Sequence, residues 1–91
     1  MNAKEDQVTR PSHYNQHPSG VECIDITKHH SFNIGNVIKY CWRQGLKDSE
    51  PAPKDLKKAV RYALYELGLF LESADIIDFL QDEISYLEDK K

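Results

Sequence analysis

Asn33-Ile34-Gly35-Asn36-Val37-Ile38-Lys39-Tyr40-Cys41-Trp42-Arg43-Gln44 is the stretch whose reading decides the fold. Ile34, Val37, Ile38, Cys41 and Trp42 recur at i, i+3, i+4, i+7 and i+8, the spacing of an amphipathic helix with one core-facing stripe. Asn33 is suited to cap the N-terminus of that helix, and Gly45 to supply the left-handed position just past its end. Asn36, Lys39, Tyr40, Arg43 and, beyond the end, Lys47 fall on the opposite side. The pattern therefore predicts a helix with an apolar inner face and a cationic outer one.

Working outward, Pro53 suits the first turn of a further helix. Leu56, Ala59, Val60, Ala63, Leu64, Leu67 and Leu71 then keep helical spacing for about five turns, with Gly68 as a weak point. Ser73 to Asp75 resets the pattern, and Ile76, Ile77, Leu80, Ile84 and Leu87 line one face of an acidic last helix. Upstream, Val21 to His30 reads as a short helix with Ile24 and Cys23 inward and Glu22 and Asp25 in its first turns. No stretch reads as a strand. The expected fold is all-α: a small domain of three to four helices with a polar N-terminal arm and loop. Its expected divisions are an arm over 1–10, a helical domain over 11–72, and an acidic C-terminal helix over 73–91 that serves assembly or partner contact.

At 91 residues the chain makes one domain. A core this small leaves apolar flanks exposed, which favours assembly as a homo-oligomer. The net charge of −3 argues against a duplex-coating protein, but the average conceals a division. Residues 28–61 hold eight Lys/Arg against three Asp/Glu, whereas residues 62–91 hold two against eight. A basic middle is thus joined to an acidic tail, consistent either with an anion site beside a partner-facing surface or with charge matching within or between subunits.

No segment has the ~18–20 apolar residues needed to cross a bilayer, and Met1 to Arg10 is too polar for a signal core. The expectation is a soluble cytoplasmic protein without membrane contact. Cys23 and Cys41 are read as free thiols packed in the core. His13, His17, His29 and His30 do not adopt a zinc-ligand spacing, so no metal site is expected. Four scattered glycines make neither a P-loop nor a dinucleotide fingerprint.

Lys39, Arg43 and Lys47 on one side of one helix repel each other unless an anion or nearby acids, such as Glu22, Asp25 or Asp55, neutralise them. Arg43 has the planar fork that grips phosphate, Lys39 and Lys47 act as point charges, and Asn36 can read a base or ribose edge. His13, Tyr14, Tyr40 and Trp42 offer flat faces for stacking a base, although Trp42 also fits the core stripe. The two readings, ligand site and solvated charged face, remain open on this basis.

Four separated blocks carry a resemblance. They are Arg10-Pro11-Ser12-His13-Tyr14, Gly20-Val21-Glu22-Cys23-Ile24-Asp25, Gly35 through Lys47, and Asp55-Leu56-Lys57-Lys58-Ala59. In this order they resemble the small phage-encoded domain known as SaV-like or nucleotide-kinase-like, over about residues 10–67, which is similar to the C-terminal part of an early phage nucleotide kinase. The resemblance implies that Ser12, His13, Tyr14, Glu22, Asn36, Lys39, Arg43, Lys47, Asp55 and Lys58 are motif positions; with Tyr40 they form the candidate ligand-binding set. The chain lacks the kinase's N-terminal extension and carries an extra acidic helix.

The expected function is therefore binding, and sequestration, of a nucleotide or nucleotide-derived immune signal by a phage-type protein in the host cytoplasm. No resident cofactor is expected. The alternative is a Walker-less nucleoside monophosphate kinase, with ATP and Mg2+ as co-substrates and Asp55 or Glu22 holding metal or accepting a proton. A further alternative is a protein inhibitor of a host enzyme that uses the acidic tail helix as its contact.

Overall fold

The structure, a computed structural model, describes residues 17–44, 46 and 51–90. Among the described residues four helices follow one another: α1 (Cys23–Thr27), α2 (Phe32–Arg43), α3 (Ala52–Leu67) and α4 (Ser73–Lys90). Among the described residues there is no strand. The expected all-helical architecture of three to four helices is thus observed, with four helices among the described residues. The arm over 1–10 and the Gly45 stop signal lie outside the described residues.

Helix α1 is shorter than Val21–His30 because its C-terminal residue Lys28 already enters a turn, with His29 and His30 N–H groups donating to Ile26 and Thr27 carbonyls. Cys23 is buried, as expected, but Ile24 is 61% exposed: one turn and a half of helix turns a single side chain inward. Helix α2 starts at Phe32, two residues earlier than a cap at Asn33 would place it. Ser31, not Asn33, is the N-cap, its Oγ accepting from the Ile34 N–H at 3.3 Å. Asn33 is then free of the cap and turns its amide toward Glu66 on α3. Pro53 sits in the first turn of α3 as expected, one residue after the helix begins at Ala52.

Two packing contacts build the domain: α1 against α2, and α2 against α3. Gly35 faces α1 across this contact, where a Cβ would lie 3.4 Å from the Thr27 carbonyl, at ordinary van der Waals distance. Before α1, Pro18 and Ser19 form a turn closed by Gly20 N–H donating to the His17 carbonyl at 3.1 Å, and Gly20 takes φ +76°. That turn lays the His17 ring on Trp42, with ring centroids 4.3 Å apart. Among the described residues helix α4 has no comparable packing partner, and none of its residues is buried.

The inner face of α2 is not the one its hydrophobic spacing predicts. Cys41 is exposed, while Ile34, Val37, Ile38 and Trp42 are only half-buried. The buried residue is Arg43, 9% exposed, from the side expected to face solvent. On α3 the outcome is divided: Ala59 of the predicted stripe is buried beside Asp55, whereas Leu56 and Val60 of the same stripe are left exposed. In both helices a polar and aromatic edge takes part in the α2–α3 contact. The physical reason is pairing: the Arg43 charge and the Asp55 charge are buried together, joined through Asp55 Oδ1.

Candidate functional site

The α2–α3 seam is read from one end to the other by three contacts. Arg43 Nε donates to Asp55 Oδ1 at 3.1 Å, Tyr40 stacks on Tyr62 with centroids 5.9 Å apart and planes 16° apart, and Asn33 Nδ2 donates to Glu66 Oε1 at 3.2 Å. Residue numbers rise on one helix as they fall on the other, so the two helices run antiparallel. Phe32 and Tyr65 meet the edges of the Tyr62 ring and extend the aromatic row.

Tyr40 is the centre of the charge. Lys39 Nζ lies 4.6 Å from its ring centroid, Arg43 Cζ 4.9 Å and Lys58 Nζ 5.3 Å. Three cations from two helices thus gather at one aromatic ring, whose electron-rich face attracts them and reduces the cost of their proximity. Asp55, fully buried, neutralises Arg43. Among the described residues no carboxylate lies within ion-pair distance of Lys39 or Lys58. The site therefore carries surplus positive charge beside a stack of tyrosines. Lys39 also reaches toward α1: burial pushes the Cys23 thiol above its ordinary value, and the Lys39 ammonium pulls it the other way.

Of the candidate ligand-binding residues, the structure brings together Lys39, Tyr40, Arg43, Asp55 and Lys58. Asn36 is half-buried on the same helix, with its Nδ2 donating to the Phe32 carbonyl at 2.9 Å, so one of its donors is already committed. Glu22 caps the start of α1 and its carbonyl accepts from Asp25 N–H. Ser12, His13, Tyr14 and Lys47 lie outside the described residues. Asp25, one of the acids expected to neutralise the cationic face, pairs instead with Lys28 at 3.7 Å within its own segment.

Two residues of the seam escape the aliphatic periodicity: Tyr62 and Glu66. A signal for them exists in the spacing Asp55, Ala59, Tyr62, Glu66, which keeps one helical face as well as the leucines do. Two buried polar atoms, Asp55 Oδ2 and Trp42 Nε1, have no hydrogen-bond partner. Among the described residues no group of three or more His, Cys, Asp or Glu could hold a metal ion, and no helix is long and apolar enough to cross a membrane.

These features define a small all-helical domain whose central seam is polar, aromatic and cationic. Residues 8–64 match the family DUF3310, described as a protein of unknown function, and the chain belongs to that family. The match covers α1, α2 and most of α3 and stops before α4. No curated protein and no solved structure matches the chain.

Proposed function

We propose that this protein binds a nucleotide or nucleotide-derived phosphate ligand at the Tyr40 cluster and acts by sequestering it. The observation that carries the reading is the convergence of Lys39, Arg43 and Lys58 on one tyrosine ring, where among the described residues Lys39 and Lys58 have no carboxylate within ion-pair distance. Lys39 and Lys58 supply charge for phosphate oxygens, and the tyrosine row supplies a face for a base. The likeness to the phage nucleotide-kinase-like domain supports the same ligand class, and on this reading the protein works in the host cytoplasm during infection, as a homo-oligomer.

Sequestration is favoured over phosphoryl transfer by the state of Asp55. A kinase needs a carboxylate able to reach metal or substrate; of its two candidates Asp55 is fully buried and engaged by Arg43, which leaves that role to Glu22 at the start of α1. Binding needs only convergent donors and a stacking surface.

The test is to heat-release small molecules from purified protein, identify them by mass spectrometry, and then titrate the protein with linear and cyclic nucleotides. Recovery or saturable binding of a nucleotide supports the proposal; no bound compound and no binding across the panel ends it. Incubation with ATP, Mg2+ and each deoxynucleoside monophosphate separates the readings, since diphosphate product would establish the kinase instead.

A further inference from the structure

Helix α4 and the outer face of α3 are each half of an interface. On α3, Leu56 and Val60 are 45% and 56% exposed and, with Pro53 and Lys57, line a shallow apolar groove. This groove lies roughly a third of a turn round the helix from the Asp55–Ala59 edge that packs on α2, so the domain's own core does not cover it. Lys57 and Arg61, both exposed, rim it on one side. On α4, Ile77, Leu80, Ile84 and Leu87 recur at i, i+3, i+7 and i+10, a continuous seam on which Ile77, Ile84 and Leu87 are each more than half exposed. Glu83 and Glu88 flank that seam, while Asp75, Asp78, Asp82 and Asp89 occupy the far side.

The two surfaces are complementary in charge as well as in hydrophobicity: a basic rim on α3 and an acidic rim on α4. The helices that carry them are of similar length, 16 and 18 residues, or about 24 and 27 Å. Within one chain they do not meet, because α4 leaves α3 without packing on it. We infer that α4 of one copy docks its Ile77–Leu87 seam on the Pro53–Val60 groove of a second copy, and that the second copy returns the same contact. A twofold exchange of this kind closes the assembly, covers both stripes on both copies and leaves the Tyr40 cluster outside the contact. The inference rests on the self-association proposed above and gives it its surfaces; it does not depend on the ligand.

The experiment uses the full-length chain with two charge-reversed partners, Lys57→Glu/Arg61→Glu and Glu83→Lys/Glu88→Lys. Mass is measured by light scattering after size exclusion and helicity by circular dichroism. Wild type is expected to be a dimer and each variant alone to lose dimerisation by about tenfold or more in dissociation constant, with unchanged helicity. Mixing the two variants is expected to restore a heterodimer, because the acidic groove of the first then faces the basic α4 of the second while the other contact remains of wild-type sign. A monomeric wild type, as expected if α4 folds back on its own α3, overturns the inference together with the oligomeric reading. Dimeric Lys57→Glu/Arg61→Glu protein, as expected if two α4 helices pair with each other, overturns the inference alone, and so does failure of the mixture to form a heterodimer.

Discussion

Arg43 on α2 and Asp55 on α3 form a buried ion pair, Nε to Oδ1 at 3.1 Å, that closes one end of the helical seam and sets the position of the cations around Tyr40. Its consequence is a division of labour: Arg43 is held by a carboxylate and serves as structure, and Lys39 and Lys58 remain to meet an incoming anion.

Removing one partner of the pair leaves the other charge buried, a loss of about 3–5 kcal/mol. At roughly 4–8 °C per kcal/mol for a domain of this size, Arg43→Ala or Asp55→Ala should lower Tm by more than about 10 °C. Replacing both by apolar residues, Arg43→Met with Asp55→Leu, should recover most of that loss. Thermal unfolding followed by circular dichroism checks all three; single variants that melt with wild type would show that the pair does not hold the seam.

The two thiols should differ in reactivity. Cys41 is exposed, whereas Cys23 is buried and its thiol is held above the ordinary value by desolvation. Near pH 8 a thiol reagent should modify Cys41 first and Cys23 only after unfolding. The sign for stability follows: a raised native value means the folded state keeps its proton longer, so this contribution is present below the unfolded thiol's value and is lost as pH rises through the native one. Comparable rates for Cys23 and Cys41, measured by mass spectrometry of partly alkylated protein, would contradict the burial.

Ser31→Ala removes the side-chain cap of α2 and should cost about 0.5–2 kcal/mol, whereas Asn33→Ala should act through loss of the Glu66 contact and leave the helix start unchanged. Amide exchange at Ile34 distinguishes them: it should accelerate in Ser31→Ala and stay slow in Asn33→Ala.

The helices themselves were legible. Their number, order and approximate limits follow from apolar spacing, and the break at Ser73 is where α4 begins. The orientation of α2 was not, because Ile34, Val37, Ile38 and Cys41 define a stripe by hydrophobicity alone, and spacing does not reveal that Arg43 has a buried acid waiting twelve residues on. Leu56 and Val60 mislead for a related reason: they do form an apolar stripe, but it is left about half exposed. The cationic gathering was half legible. Lys39, Tyr40 and Arg43 are close in sequence, but Lys58 and Tyr62 join them only through the antiparallel packing of α3.

The central claim is that the surplus charge at Tyr40 exists to hold a phosphate-bearing ligand, and the most direct measurement is equilibrium binding of nucleotides to wild type and to Lys39→Ala/Lys58→Ala. Charge-assisted contacts of this kind contribute about 1.5–3 kcal/mol each, so the double variant should lose at least about tenfold in affinity for the ligand that wild type binds while keeping its Tm within a few degrees. Binding by wild type should also weaken as salt is raised. Equal affinity in the two proteins, or no nucleotide bound by wild type at low salt, would contradict the account.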